Sequence, residues 1–314
     1  MNVLSTKMEE LNLVNSNQSD IKYKLINFPD SQPHIEFLNE PSGQEVRVMS
    51  RMSTANDLLL ILFATEWLKT RRDVSSNKIR VHLYIPYLFS ARMDRRMKAN
   101  EPFSLKIIAQ ILNNAQFESI TVCDAHSRGA EMLIEGLIDN GCNPLFDKVL
   151  HDINTLNYVL VQPDKGAKER TERFAKYLGY QGNIAVADKE RDAQGNIVAY
   201  RMVTRDAFHG NVRAIPVVID DIYDGGRTFE LLRNELANYS NTAPYLVVTH
   251  GIFSKGIMLA LNHGYRKVYT TNSFQDVRKL VDTTINDMVL QDYEKKMYKS
   301  SFEVVDLFNK FVEE

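Results

Sequence analysis

The chain has 314 residues, of which 44% are hydrophobic and 25% are charged, and its formal net charge is −2. That length is sufficient for two domains with separate cores, and the near-neutral charge excludes a general attraction to nucleic acid or to an anionic membrane. The two cysteines, Cys123 and Cys142, exclude a disulfide scaffold and argue against a cysteine-rich metal site.

The amino terminus lacks the basic-then-apolar pattern of a signal peptide. The longest apolar runs, such as residues 58–64, fall far short of a membrane span. We therefore expect a cytoplasmic protein that binds neither membrane nor nucleic acid.

The pattern of apolar residues alternates between strands and helices along the chain. In the first half it predicts a strand over residues 81–85, a helix behind a serine cap over 104–112, and a strand over 119–123. Residues 140–154 are weakly patterned, and we place the domain boundary there, between residues 148 and 149.

The second half continues this alternation. Strands are predicted over residues 158–161, 184–187, 217–219, 245–248 and 268–270, and helices over 168–178, 229–238, 255–262 and 301–312. The last of these helices is a candidate to pack back on the first domain. The fold class is therefore predicted as α/β, with domains over residues 1–148 and 149–314, each a mainly parallel sheet flanked by helices.

Residues 217–228, which read VVIDDIYDGGRT, are the most informative segment. Its β-branched start predicts a buried strand, and Asp220 and Asp221 follow at the carboxyl end, where open α/β sheets bind ligands. Gly225 and Gly226 let backbone N–H groups approach a phosphate, and Thr228 opens a helix whose N-terminus attracts anions. This pattern predicts a ribose-phosphate site; the alternative is a polar strand exit without a ligand.

Other polar clusters also follow predicted strands. Basic residues 92, 95, 96 and 98 suit a polyphosphate, or form a solvated loop. His126 follows a strand, where a lone histidine is more often structural than a metal ligand. Lys189 and Arg191 are suited to a mobile loop that closes over a reacting phosphate, or to a hairpin with solvated charges.

Taken in order, these segments resemble the ribose-phosphate diphosphokinases over nearly the whole chain. The family's segments PYxxYARQDR, P-I-S/T-A-K, DLHA, D-x-G-G-x-x-R, K-x-R and T-H-x-I-F-S are matched by residues 86–95, 102–106, 124–127, 164–170, 189–191 and 249–254. Residues 28–32 resemble the piece F-S-D/N-x-E, which in the family reaches ATP bound by a neighbouring subunit. The correct order of these matches makes the resemblance specific.

The resemblance implies two phosphoribosyltransferase-type domains and an ATP-dependent diphosphokinase. Such an enzyme transfers the β,γ-diphosphoryl group of MgATP to the anomeric hydroxyl of ribose 5-phosphate and releases AMP. Lys189 and Arg191 would be catalytic, and His126 and Asp164 would hold Mg²⁺. The implied ATP-binding residues are Phe28, Asp30, Gln32, Arg92, Asp94, Arg95 and His126. The implied ribose-phosphate residues are Asp164, Asp220, Asp221, Asp224, Gly225, Gly226, Arg227 and Thr228. A homodimer or homohexamer is also implied.

The phosphate loop departs from the family pattern D-T-G-G-T, because an ungapped match places Arg227 at the second glycine. A left-handed backbone costs a non-glycine residue about 1 to 2 kcal/mol, so we expect a different loop shape or a different ligand. Arg227 would then pair with a second phosphate of a larger acceptor such as ADP-ribose, or point to solvent or a neighbouring subunit. Met93 and Gln32 are smaller departures, near the nucleotide.

Two other classes of protein remain alternatives. A phosphoribosyltransferase shares the carboxylate pair and phosphate loop but needs no ATP loop, so the match over residues 92–106 argues against it. A non-catalytic regulatory homologue should lack catalytic-loop or metal residues, whereas His126, Asp164, Lys189 and Arg191 are all present.

Overall fold

A computed structural model of the chain describes residues 2–5, 21–73, 75–96, 98–192 and 197–310. The chain divides into two compact units. Unit 1 comprises Met1–Gly141 together with Asp306–Glu314, and unit 2 comprises Cys142–Val305. None of the described helices is long and apolar enough to cross a membrane.

Unit 1 contains a five-stranded parallel sheet and a separate antiparallel hairpin. Its strands are β1 (Asn2–Ser5), β2 (Tyr23–Asn27), β3 (Pro33–Phe37), β4 (Glu45–Met49), β5 (Arg80–Tyr84), β6 (Ser119–Val122) and β7 (Leu137–Asp139). The sheet order is β1-β4-β5-β6-β7, and β2 and β3 form the hairpin. The helices are α1 (Ala55–Lys69), α2 (Ser104–Asn114) and α3 (Gly129–Leu133). A capping box between Thr54 and Asp57 fixes the start of α1.

Unit 2 is built on a seven-stranded sheet. Its elements are α4 (Asn143–Ile153), β8 (Tyr158–Gln162), α5 (Lys168–Leu178), β9 (Ala185–Arg191), β10 (Ile197–Met202), β11 (Ile215–Tyr223), α6 (Arg227–Leu236), β12 (Tyr245–Gly251), α7 (Leu259–Asn262), β13 (Lys267–Thr271), α8 (Val277–Asp287), α9 (Asp292–Ser300) and β14 (Phe302–Val305). The sheet order is β10-β9-β8-β11-β12-β13-β14, and only β10 runs antiparallel to its neighbour. Short 3₁₀ helices cover Lys165–Ala167 and Arg205–Phe208. The helix α10 (Leu307–Lys310) follows β14 and belongs to unit 1, where Phe308 packs edge-on against Tyr84.

The predicted α/β class is confirmed, and every strand predicted from the sequence coincides with an observed one. β11 lies between β8 and β12, and Val217, Val218 and Ile219 are buried, as a strand covered on both faces requires. The prediction for α5 agrees with the structure at both ends, because Gly179 adopts a left-handed conformation (φ 62°) that stops the helix.

Three local predictions were wrong. Residues 301–312 do not form one helix, because Phe302–Val305 pairs with β13 as a strand; residues 311 and 312 lie outside the described part. Gly256, at φ 95°, delays the helix predicted over 255–262 until Leu259. Ser104 is the first residue of α2 rather than its cap. The weakly patterned residues 140–154 include α4, whose Pro144 lies in its first turn.

Candidate active site

Asp164 and Lys189 form the first contact of the candidate site in unit 2. Asp164 follows β8 and caps a 3₁₀ turn, where one carboxylate oxygen accepts hydrogen bonds from the backbone N–H groups of Gly166 (2.7 Å) and Ala167 (3.2 Å). Its other oxygen pairs with the ammonium group of Lys189 on β9. The structure therefore brings together a residue implied to hold metal and one implied to be catalytic.

Asp220 and Asp221 lie on β11, which continues beyond them to Tyr223. The guanidinium group of Arg170 reaches them from α5, at 3.2 Å from Asp220 Oδ1 and 3.3 Å from Asp221 Oδ2. Burial raises the pKa of Asp220 well above its ordinary value, the charge of Asp221 adds to the rise, and Arg170 opposes it. Arg170 is only 6% exposed, so it is the internal counter-charge of the carboxylate pair.

The turn between β11 and α6 forms the predicted phosphate loop. Gly226 caps α6 in a left-handed conformation (φ 77°), and Arg227 is the first helical residue. A Cβ atom on Gly226 would stand 2.5 Å from Tyr223 Oη, so only glycine fits. The expected strain at Arg227 is therefore absent: the left-handed position precedes it, and an arginine is accommodated at the start of the helix.

Two basic side chains flank this loop. Arg227 donates a hydrogen bond to Glu230 at 2.8 Å, and its side chain is 62% exposed. Lys255 lies beside Gly225, with its Cε atom 3.6 Å from the point where a Cβ of residue 225 would stand. Lys255 is not among the site residues predicted from the sequence, although it directly follows the matched segment 249–254.

Lys189 and Arg191 lie on β9, which pairs with β10 as a hairpin, so they belong to a strand rather than to the predicted loop. Asp188, also on β9, pairs with Lys165 of the 3₁₀ turn at 3.1 Å. Residues 193–196, at the turn, lie outside the described residues. The strand fixes the Cα position of Lys189 and leaves its long side chain to reach Asp164.

A second polar cluster, within unit 1, joins the nucleotide-loop segment to the segment of His126. Arg95 binds both carboxylate oxygens of Asp94, at 2.8 and 2.7 Å. Hydrogen bonds from Arg95 and Ser127 together lower the pKa of Asp94 to about 2, although burial opposes the shift. Arg92 is exposed on the same loop.

Asp139, at the end of β7, holds the backbone around His126. Its carboxylate accepts hydrogen bonds from the N–H groups of Asp124 (2.8 Å), Ala125 (3.0 Å) and Gly141 (2.8 Å). Asp124 and His126 both have left-handed backbones, at φ 58° and 62°. Such conformations persist only where the surroundings impose them, which identifies Asp139 as a positioning residue that the sequence did not reveal.

Phe28, Asp30 and Gln32 lie in the turn of the β2–β3 hairpin. Phe28 is 48% exposed and stacks on His34 at 5.8 Å. The side chain of Asp30 accepts a hydrogen bond from the Gln32 N–H group at 3.1 Å. The aromatic ring is thus presented at the tip of a turn with defined backbone geometry.

Known proteins with similar sequences and a similar fold share one described activity. No family model matches the chain. It is 28% identical over 253 residues to a putative ribose-phosphate pyrophosphokinase 2 of Lactiplantibacillus plantarum, covering 79% of this chain and 75% of that protein. It is 27% identical over 269 residues to the ribose-phosphate pyrophosphokinase of Sulfolobus acidocaldarius, covering 83% and 88%. Its sequence is therefore similar to ribose-phosphate pyrophosphokinases over about four fifths of its length, which supports the resemblance seen in its motifs. A solved phosphoribosylpyrophosphate synthetase from Mycobacterium smegmatis has the same fold, with a TM-score of 0.74 and 19% identity over 100% of this chain and 97% of that one.

Similarity to these pyrophosphokinases confirms the resemblance and the prediction of a transferase of the kinase type. Among the described residues there is no group of three or more His, Cys, Asp or Glu side chains that could hold a metal ion. Asp164 nevertheless fits Mg²⁺, which usually takes one or two carboxylates, several waters and substrate phosphates rather than a cage of protein ligands.

Proposed function

We propose that the protein transfers the β,γ-diphosphoryl group of MgATP to the anomeric hydroxyl of a ribose 5-phosphate unit and releases AMP. The observation that carries this proposal is the arrangement within unit 2. The contact between Lys189 and Asp164, the carboxylate pair held by Arg170, and the Gly226 loop all lie at the carboxyl ends of β8, β9 and β11. Together they offer groups for a phosphoryl transition state, for ribose hydroxyls and for a phosphate.

Asp220 and Asp221 would accept hydrogen bonds from the ribose hydroxyls. Arg170 contacts one oxygen of each carboxylate, Oδ1 of Asp220 at 3.2 Å and Oδ2 of Asp221 at 3.3 Å. An internal cation also lets two adjacent carboxylates remain close without full mutual repulsion. Recognition of the sugar would therefore depend on Arg170 without direct contact.

The Gly226 loop and the start of α6 would bind the 5′-phosphate. The first turn of a helix has unpaired N–H groups and the positive end of the helix dipole, and both favour an anion. Asp224, Gly225, Arg227 and Thr228 complete this loop. The close packing of Tyr223 beneath Gly226 keeps the loop backbone in place.

Lys189 and Arg191 would stabilise the charge on the diphosphoryl group during in-line transfer. In phosphoryl transfer most of the catalysis comes from positioning and from such cations. Lys189 would exchange Asp164 for a phosphoryl oxygen, since its flexible ammonium group can move while β9 holds its backbone. Within unit 2, Asp164 would contribute to holding Mg²⁺, and within unit 1 His126 would do so beside the nucleotide; bound Mg²⁺ neutralises phosphate charge.

The nucleotide would be bound by residues of unit 1, namely Phe28, Asp30, Gln32, Arg92, Asp94, Arg95 and His126. The exposed aromatic ring of Phe28 is suited to stacking on a base.

We also propose a homodimer or homohexamer in which the β2–β3 hairpin contacts the nucleotide bound by a neighbouring subunit.

The first candidate acceptor is ribose 5-phosphate. A second candidate is a 5′-extended acceptor such as ADP-ribose, which Arg227 and Lys255 favour because they place two cations beside the phosphate loop. Each acceptor should be incubated separately with MgATP, and AMP and the diphosphorylated product measured by mass. Turnover of ribose 5-phosphate that equals or exceeds that of ADP-ribose would exclude the larger acceptor.

The same assay separates the other classes of protein. A phosphoribosyltransferase would form no AMP, and a regulatory homologue would form none with either acceptor. AMP formation that requires an acceptor and is lost in Lys189→Ala would support the proposal. The variant Lys165→Ala is the matched control, because Lys165 is an exposed lysine that pairs with Asp188 near the same strand.

A further inference from the structure

Tyr200 lies beside the candidate site although no sequence motif includes it. It belongs to β10, where its Cα partner on β9 is Lys189. Directly opposed residues of antiparallel strands project from the same face of a sheet, so Tyr200 and Lys189 share a face. Because the ammonium group of Lys189 contacts Asp164, the phenol is on the side of the sheet that faces the candidate site.

The hydroxyl group of Tyr200 is buried and lacks a hydrogen-bond partner within the described part of the chain. The residue is 3% exposed. The Thr228 side chain, in the first turn of α6, is near enough to favour the phenolate, but the two groups do not reach hydrogen-bond geometry. Buried polar groups normally have a partner, and an exception calls for an explanation such as a ligand.

The charges around Tyr200 keep it a donor. Burial raises the pKa of the phenol, and the carboxylates of Asp164 and Asp220 add to the rise, while Arg191 opposes it. A phenol that stays protonated donates its hydrogen to an oxygen acceptor. The missing partner should therefore carry oxygen atoms and fit beside Thr228.

We propose that Tyr200 is a further acceptor-binding residue, whose hydroxyl donates a hydrogen bond to a phosphate oxygen of the acceptor held at the Gly226 loop. This inference rests on the proposed function, because it assigns that phosphate to the acceptor. It adds a side-chain donor from β10 to the backbone donors of α6, so two separate elements would recognise one phosphate.

The test compares Tyr200→Phe with Tyr245→Phe, a buried tyrosine at the start of β12 and therefore at the opposite end of the strands. Calorimetry should show that Tyr200→Phe binds ribose 5-phosphate about 10-fold more weakly, as loss of a hydrogen bond to a charged group implies. The KM for ribose 5-phosphate should rise by a similar factor, while the KM for ATP changes less than about twofold. Tyr245→Phe should match the wild type in every measurement.

Two further readouts separate a binding role from a structural one. The Tm of ligand-free Tyr200→Phe should equal or exceed that of the wild type, because the substitution removes an unpaired buried group. Unchanged binding of both ribose 5-phosphate and ADP-ribose would overturn the inference, as would a lowered Tm with an unchanged acceptor KM. After either of these two outcomes, the proposed function would still stand if the wild type forms AMP with either acceptor. Absence of both AMP formation and acceptor binding in the wild type would overturn the proposed function and this inference together.

Discussion

Buried ion pairs organise the polar cluster of unit 2, whereas backbone hydrogen bonds to one carboxylate organise the cluster of unit 1. In unit 2, Arg170 is 6% exposed and contacts Asp220 and Asp221. In unit 1, the side chain of Arg95 is 68% exposed, and Asp139 fixes the loop through three N–H groups. Similar residue types therefore act differently in the two units. Charged side chains set the electrostatics of the cluster in unit 2, and a carboxylate sets the backbone conformation of the cluster in unit 1.

Removal of Arg170 should have the largest effect on stability. Arg170→Met leaves two adjacent carboxylates without their counter-charge, so the free energy of unfolding in urea should fall by about 3 to 5 kcal/mol. Arg95→Met is the matched control and should cost less than about 1 kcal/mol, because the Arg95 side chain is 68% exposed to solvent. Equal losses in the two variants would remove the distinction between the clusters. If Arg170→Met does not fold, Arg170→Lys provides a milder comparison with Arg95→Lys.

Loss of Lys189 should leave the fold intact and remove the activity. Lys189→Ala should lower the rate of AMP formation by 10²- to 10³-fold or more, since one contact to a transition-state oxyanion is typically worth about 3 to 4 kcal/mol. Its Tm should stay within a few degrees of that of Lys165→Ala. Near-normal AMP formation by Lys189→Ala would contradict its catalytic assignment.

Asp139→Ala tests the backbone role in unit 1. The N–H groups of Asp124, Ala125 and Gly141 lose their acceptor, which should cost about 1 to 3 kcal/mol and displace His126. We expect a higher KM for ATP with unchanged binding of ribose 5-phosphate by calorimetry. Asp139→Asn retains one carbonyl oxygen and should lie between Asp139→Ala and the wild type. If Asp139→Ala weakens the binding of ribose 5-phosphate by the same factor as it raises the KM for ATP, the defect is not confined to the polar cluster of unit 1.

The raised pKa of Asp220 predicts a small pH-dependent effect. A carboxyl whose pKa is higher in the folded state contributes stability that is full below its unfolded pKa, about 3.9, and is lost as pH rises through the folded pKa. The Tm of Asp220→Asn minus that of the wild type should therefore increase from pH 4 to pH 8. Asp282→Asn, in an exposed pair with Lys299, controls for a general change of charge. A difference that decreases with pH would mean that the ionised carboxylate is stabilised in the folded protein.

The sequence predicted those parts of the fold and site whose signals are local. A run of β-branched residues identified β11, and Gly179 marked the end of α5. The contact of Arg170 with Asp220 spans 50 residues and depends on how α5 packs, which periodicity does not encode. Tyr200 faces Lys189 only through a register that shifts between residues 197 and 199. At residues 302–305, a short apolar segment fits helix and strand patterns alike, and pairing with β13 decides between them.

The most direct test of the proposed function follows the β-phosphate of ATP. The enzyme is incubated with Mg²⁺, ATP labelled at the β-phosphorus and ribose 5-phosphate or ADP-ribose, and the products are separated. We expect the label to move to the sugar product together with the γ-phosphate, with one AMP formed for each product molecule. Label that remains in ADP, as after transfer of the γ-phosphate alone, would contradict the diphosphoryl transfer.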